Sequence, residues 1–193
     1  MRHFAWLSSV GVSLFLAAAC GTRDPQPEYR PTATIKDIMD STVDPSADFL
    51  WDSVATVVTA AGTEERAPRT DEEWINVRRR AIQLLEATNL LQVPGRHVAK
   101  PGEKSENPGI ELGPEEIETV INQDRATWIK FAHGLHDAVM PALNAIEAKN
   151  VQALSDAGEQ IDTACENCHL KYWYPNQEES LKAALKKQKE GGQ

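Results

Sequence analysis

Several common chemical signatures are missing from the chain. It holds no Ser/His/Asp array, no phosphate loop and no nucleotide fingerprint, which leaves those chemistries without their working parts. Cationic residues are in the minority, 20 Lys and Arg against 29 Asp and Glu, for a formal net charge of −9. Such an acidic balance argues against nucleic acid as a partner. Neither strand-like alternation nor an internal repeat is visible, so the periodicity that remains is helical. Cysteine is scarce as well, with three residues in 193. In an oxidising compartment three cysteines leave an odd thiol, unless one is lipidated and two are spent on a cofactor.

What is present begins with a leader. Arg2 and His3 precede an uncharged stretch from Phe4 to Ala19, the pattern of a secretory signal over residues 1–19. At 16 residues this run is shorter than the roughly 20 that a membrane-spanning helix needs. No later segment is comparably apolar, so no transmembrane helix is expected. The run ends Leu16-Ala17-Ala18-Ala19-Cys20, which resembles the lipobox of bacterial lipoproteins, with Ala17 where Leu is usual. Lipidation of Cys20 would hold the protein at a membrane face, and plain cleavage after an A-x-A site is the alternative. Residues 20–31, rich in Pro and polar side chains, then read as a lipidated N-terminus and tether. Loss of Arg2 with the leader takes the formal charge to −10.

The body of the chain, with 41% hydrophobic and 25% charged residues, is expected to be one all-α domain over residues 32–175, an antiparallel four-helix bundle. The first helical region has two pieces, one through Ile35, Ile38, Met39, Thr42 and Val43 and one through Ala47, Leu50, Val54, Val57, Val58 and Ala61. Asp44-Pro45 should bend it and Gly62 should stop it. Asp71 is placed to cap a second helix, whose core face runs Trp74, Val77, Ala81, Leu84, Leu85 and Thr88. A loop from Pro94 to Gly113 follows, with three prolines and four glycines. Pro114 opens the longest helix, along Ile117, Val120, Ile121, Trp128, Phe131, Ala132, Leu135 and Val139, which Pro141 should kink or end. A last helix from about Val151 carries Leu154, Ala157, Ile161 and Ala164 on one face and runs into Cys165. Residues 176–193 read as a C-terminal tail.

That last helix carries the motif with chemistry. Cys165-Glu166-Asn167-Cys168-His169 sets two thiols three positions apart, neighbours on a helical surface, where they can add to the two vinyl groups along one side of a porphyrin. His169 follows in reach of the iron. A zinc half-site or a dithiol redox pair is the competing interpretation, but a second cysteine pair and a βαβ setting are both absent. One covalent haem c is therefore the expected cofactor, against a structural or metal-binding exported lipoprotein as the other class.

With this motif in view, residues 32–175 resemble the class II cytochromes c, the cytochrome c prime family. Those are helical bundles with a single CxxCH near the C-terminal end and generally an aromatic three residues after the histidine, here Tyr172. The chain departs from them at Trp173, where a basic residue is usual, and at the break in its first helix. The resemblance implies a haem wedged lengthwise in the bundle, His169 on one face, side chains of the first helix over the other, and Tyr172 packing on the haem. Within the family a methionine on that distal face goes with electron transfer, and an apolar residue leaves the iron open to nitric oxide or carbon monoxide.

Met39 is the methionine placed for the distal position, with core filling as its other use; Met140 is a weaker candidate beside Pro141. His133 and His136 lie three apart but on a core edge, without the Glu-x-x-His repeat of a di-iron site. Arg96 and Lys100, flanking His97 in the long loop, are placed to meet haem propionates. Trp51, Trp74, Trp128 and Trp173 read as core or haem packing. A single-electron carrier in the bacterial periplasm is favoured over a gas-binding module, and neither is an enzyme in the strict sense. Redox proteins, a membrane face reached through the lipid, and a second copy in a homodimer are the partners expected. For the anchor, Cys20→Ser should move the protein from the membrane to the soluble fraction; wild-type protein already soluble, with no lipid on its first residue, would remove the anchor and leave export standing.

Overall fold

A computed structural model describes residues 29–177. The leader, Cys20, most of the tether and the tail beyond residue 177 lie outside the described residues. The described chain is mostly helical, in the order α1 (Ile35–Ile38), a π-helical turn (Met39–Val43), α2 (Asp44–Asp52), β1 (Thr56–Thr59), β2 (Gly62–Glu65), α3 (Asp71–Leu90), α4 (Pro114–Gln123), α5 (Arg125–Glu147) and α6 (Val151–Tyr172). Helix α6 packs on α5, α5 on α3, α3 on α2, and α2 returns to α6. Their shared interior includes Leu50, Leu84, Val139, Leu154 and Ile161, all fully buried.

The bend expected at Asp44-Pro45 is a π turn rather than a stop and restart. The amide of Asp44 bonds to the carbonyl of Met39, five residues back. Pro45 explains the widening: it brings no N–H, and its ring would strike the carbonyl four residues earlier in a regular helix. Downstream the expectation of helix to Ala61 is wrong. Helix α2 ends at Asp52, and Thr56–Thr59 pairs antiparallel with Gly62–Glu65, Thr59 opposite Gly62. Thr56, Val57, Val58 and Thr59 are all β-branched and suit a strand. Gly62 opens β2 at φ +131, a backbone conformation that strongly favours glycine. Val58 is 78% exposed there, so its apolar spacing was not a core face.

Helix α3 buries the face read from the sequence, but its cap is Thr70, not Asp71. The Thr70 hydroxyl accepts from the Glu73 amide and the Glu73 carboxylate accepts from the Thr70 amide, a capping box. The long third helix is two helices. Asp124, at φ −140 and ψ 67, breaks it, and its side chain accepts from the Thr127 amide to start α5. Pro141 does not end α5, which runs on to Glu147. The carbonyl Pro141 deprives of a donor belongs to Asp137, an exposed residue that water can reach.

Helices α2 and α6 meet at a glycine. Trp51 lies against Gly158, where a Cβ would fall 3.0 Å from the indole Cδ1. The Trp51 Nε1 donates to the Gly158 carbonyl at 3.1 Å. Gly158→Ala gains about 1 kcal/mol of helix propensity but overpacks a site where such strain costs about 1–3 kcal/mol. We expect a net loss of about 1 kcal/mol in urea unfolding and an altered Trp51 emission; equal or higher stability would show that the indole moves away freely.

Candidate functional site

The last three turns of α6 form one wall of a cleft. Its larger lobe, about 380 Å³, is lined from α6 by Cys165, Cys168 and His169, and faces Met39 in the π turn, Trp51 in α2, and Trp128 and Phe131 in α5. That volume lies within the about 300–1,000 Å³ usual for small-molecule and cofactor sites. A smaller lobe of about 160 Å³ continues beneath the 94–113 loop, lined by Val98, Leu112, Tyr172 and Trp173 among others. Met39, Asp44, Trp128, Cys168 and His169 border both lobes.

The sequence places the wall where it does because the apolar stripe of α6 runs out there. Leu154, Ala157 and Ile161 are buried, whereas Ala164, Cys165 and Cys168 are only partly buried and look onto the cleft. Neither cysteine is in a disulfide. Burial pushes the Cys165 thiol up to about 11, with Asp44 and other carboxylates adding to it. Burial likewise pushes the Cys168 thiol up to about 12. Both thiols are therefore protonated at neutral pH. Burial lowers His169, which leaves its imidazole neutral and its nitrogen lone pair free to bind a metal.

Aromatic rings surround this wall. Tyr172 is 3% exposed and packs edge-on against Trp128 at 5.2 Å and Phe131 at 5.7 Å. Its hydroxyl has no hydrogen-bond partner among the described residues. The His169 ring meets Trp173 at 5.1 Å and Tyr174 at 5.9 Å, centroid to centroid. Tyr174 also donates to Glu166 at 2.6 Å, a contact that only the turn after Tyr172 brings about and that helical spacing did not reveal. Asp44 was likewise missed as a site residue. Burial raises its carboxyl above the ordinary range.

Other candidates sort by distance from the cleft. Met39 borders it and Met140 does not. Trp51 and Trp128 line the larger lobe, Trp173 the smaller, and Trp74 sits in the core of α3. His133 and His136 border neither lobe; His136 lies 3.6 Å from Asp137. His97 faces Glu118 at 3.0 Å. Arg96 and Lys100 do not reach the cleft. The Arg96 guanidinium donates to the carbonyls of Leu90 and Ala33, and Lys100 pairs with Asp37 at 2.8 Å. The lysines that border the smaller lobe are Lys36 and Lys104.

The long loop proves to be a cover. Its His97 and Val98 carbonyls accept from the Ile35 and Lys36 amides at the start of α1, and its Leu112 amide donates to the Trp173 carbonyl at 2.7 Å. The loop thus covers the smaller lobe, from the first helix to the last.

No group of three or more His, Cys, Asp and Glu side chains is arranged to hold a bare metal ion among the described residues. The donor set instead comprises two free thiols and one imidazole in a cleft that aromatic and aliphatic side chains share with Asp44, Asp48, Asp162 and Glu166. That suits a large, flat, mostly apolar group bonded through sulfur, and haem meets the description.

Comparison of the chain with protein-family models, with characterised proteins and with solved structures returns no match.

Because thiolate is the reactive form, the raised thiols make the haem-free protein slow to alkylate. At pH 8 the rate with iodoacetamide should be roughly a hundredfold below that of the urea-unfolded chain. Stability should be level up to pH 9.0, the ordinary thiol value, and fall as pH rises from there towards about 11 and 12, because the unfolded chain loses these protons first. Folded-state alkylation as fast as unfolded would show both thiols open to water.

Proposed function

We propose that this chain is an exported c-type cytochrome, an all-α four-helix bundle in which one haem is bonded to Cys165 and Cys168 and ligated by His169, and that it carries single electrons. One observation carries the proposal: two thiols, a neutral imidazole and the Met39 side chain, which sequence separates by more than a hundred residues, border one cleft.

When bound, haem supplies a one-electron iron couple that no side chain of the chain offers. The protein's own groups do the rest. Cys165 and Cys168, protonated at neutral pH, bring both sulfur and hydrogen to a vinyl group, so attachment needs no oxidant. His169, already neutral, would ligate the iron. Met39 would hold the iron from the facing wall, where its soft thioether would favour the reduced state and raise the potential. Trp51, Trp128, Phe131 and Tyr172 exclude water from the flat faces. Attachment takes place outside the cytoplasm, in keeping with the leader, and Cys20 is the membrane anchor. Redox proteins are the partners.

The purified protein should show c-type absorption and stay coloured after acid-acetone extraction, and Cys165→Ala with Cys168→Ala should abolish the colour. Freely extractable colour would end the proposal. Oxidised wild-type iron should be low-spin, and Met39→Ala should make it high-spin and open to carbon monoxide. High-spin wild-type protein that binds carbon monoxide readily would replace the carrier with a gas binder and reduce Met39 to packing.

A further inference from the structure

Beside His169 stand two aromatic residues that attachment and ligation leave without a task. Trp173 is held through its backbone. Its amide donates to the His169 carbonyl at 2.8 Å and its carbonyl accepts from Leu112 at 2.7 Å. Its indole joins the Asn107 amide and the Ser105 hydroxyl in holding the Glu111 carboxylate below the usual range. Tyr174 is fixed by its hydrogen bond to Glu166, and its amide donates to the same His169 carbonyl at 3.0 Å.

Both rings stand nearly edge-on to the imidazole, with interplanar angles of 81° for Trp173 and 65° for Tyr174. No carboxylate, carbonyl or amide oxygen accepts from a His169 ring nitrogen among the described residues. A metal-bound histidine usually donates its second N–H to such an acceptor, which orients the ring and strengthens its donation to the metal. Here two aromatic rings flank the imidazole, and no protein acceptor pairs with it among the described residues.

We propose that Trp173 and Tyr174 are positioning residues that fix the plane of the His169 ring and withhold an acceptor from its second nitrogen, biasing a bound haem iron towards its reduced state. The inference rests on the haem proposed above. It divides the work on the two sides of the iron in one direction: a weakly donating imidazole and a thioether both favour the ferrous form. The Leu112 hydrogen bond ties Trp173 to the 94–113 loop, so that loop helps to hold Trp173 beside His169.

The test uses the holoprotein. Trp173→Gln puts a neutral amide acceptor beside His169, and Trp173→Phe keeps an aromatic edge with no acceptor. Trp173 is 39% exposed at the end of α6, so both variants should keep the helical circular dichroism of the wild type. Trp173→Gln should lower the reduction potential clearly below that of Trp173→Phe, which should stay near wild type. Trp173→Ala should broaden the ferric electron paramagnetic resonance spectrum, because the imidazole plane is no longer fixed. Equal potentials for the Gln and Phe variants, with haem still covalently bound, would overturn this inference alone. Wild-type protein with no covalent haem would overturn it together with the function it rests on.

Discussion

One contact between α2 and α6 governs the cleft. Trp51 can donate to a backbone carbonyl in the middle of α6 only because residue 158 has no side chain to hold the indole off. The two residues are 107 positions apart. Chain from Trp51 back to Met39 and from Gly158 on to Cys165 builds the opposite walls, so fixing this crossing fixes how far apart and in what register those walls stand. A methyl group at residue 158 is small beside the cleft, yet it would act at the point from which both walls are measured. The indole carbon that crowds Gly158 belongs to a ring that itself lines the larger lobe.

Two buried donors of the core are satisfied locally, whereas the Tyr172 hydroxyl and Ser46 Oγ are left without partners among the described residues. The Trp128 indole donates to the Leu91 carbonyl at 2.9 Å, and the Thr88 hydroxyl to Leu85 at 2.7 Å. The first amides of α1, which no helical carbonyl can serve, are taken by the long loop. In that loop three prolines and four glycines forbid regular structure, yet its hydrogen bonds to α1 and Trp173 give it a defined path.

Sequence and structure agree where periodicity and burial coincide. The faces of α3 and α6 were legible because each apolar position repeats every three or four residues and all but Ala164, which looks onto the cleft, are buried. Legibility failed at Val57 and Val58, whose helical spacing was accidental; β-branching, not hydrophobicity, was the informative property there. It failed again at Asp124, where Ile121 and Trp128 keep the stripe in phase across a break that only backbone angles reveal. At the site, the CxxCH spacing was readable because its chemistry is local to one helix. The lysines beside the cleft were not: Arg96 and Lys100 stand in the same loop as Lys104, and nothing in the order of residues says which of the three turns inward.

The π turn has a consequence in angular phase. Ile38 and Leu50 are twelve residues apart, and in an unbroken α-helix, at 3.6 residues per turn, they would point about 120° away from each other around the axis. Absorbing one residue in the wider turn brings them to within about 20°. Pro45 therefore does more than interrupt hydrogen bonding: it makes one residue drop out of the count, and two stripes that the linear sequence sets out of step come to face the same interior. Met39 lies within the corrected stretch, so the direction its thioether takes is decided by that dropped residue and not by its own place in either stripe.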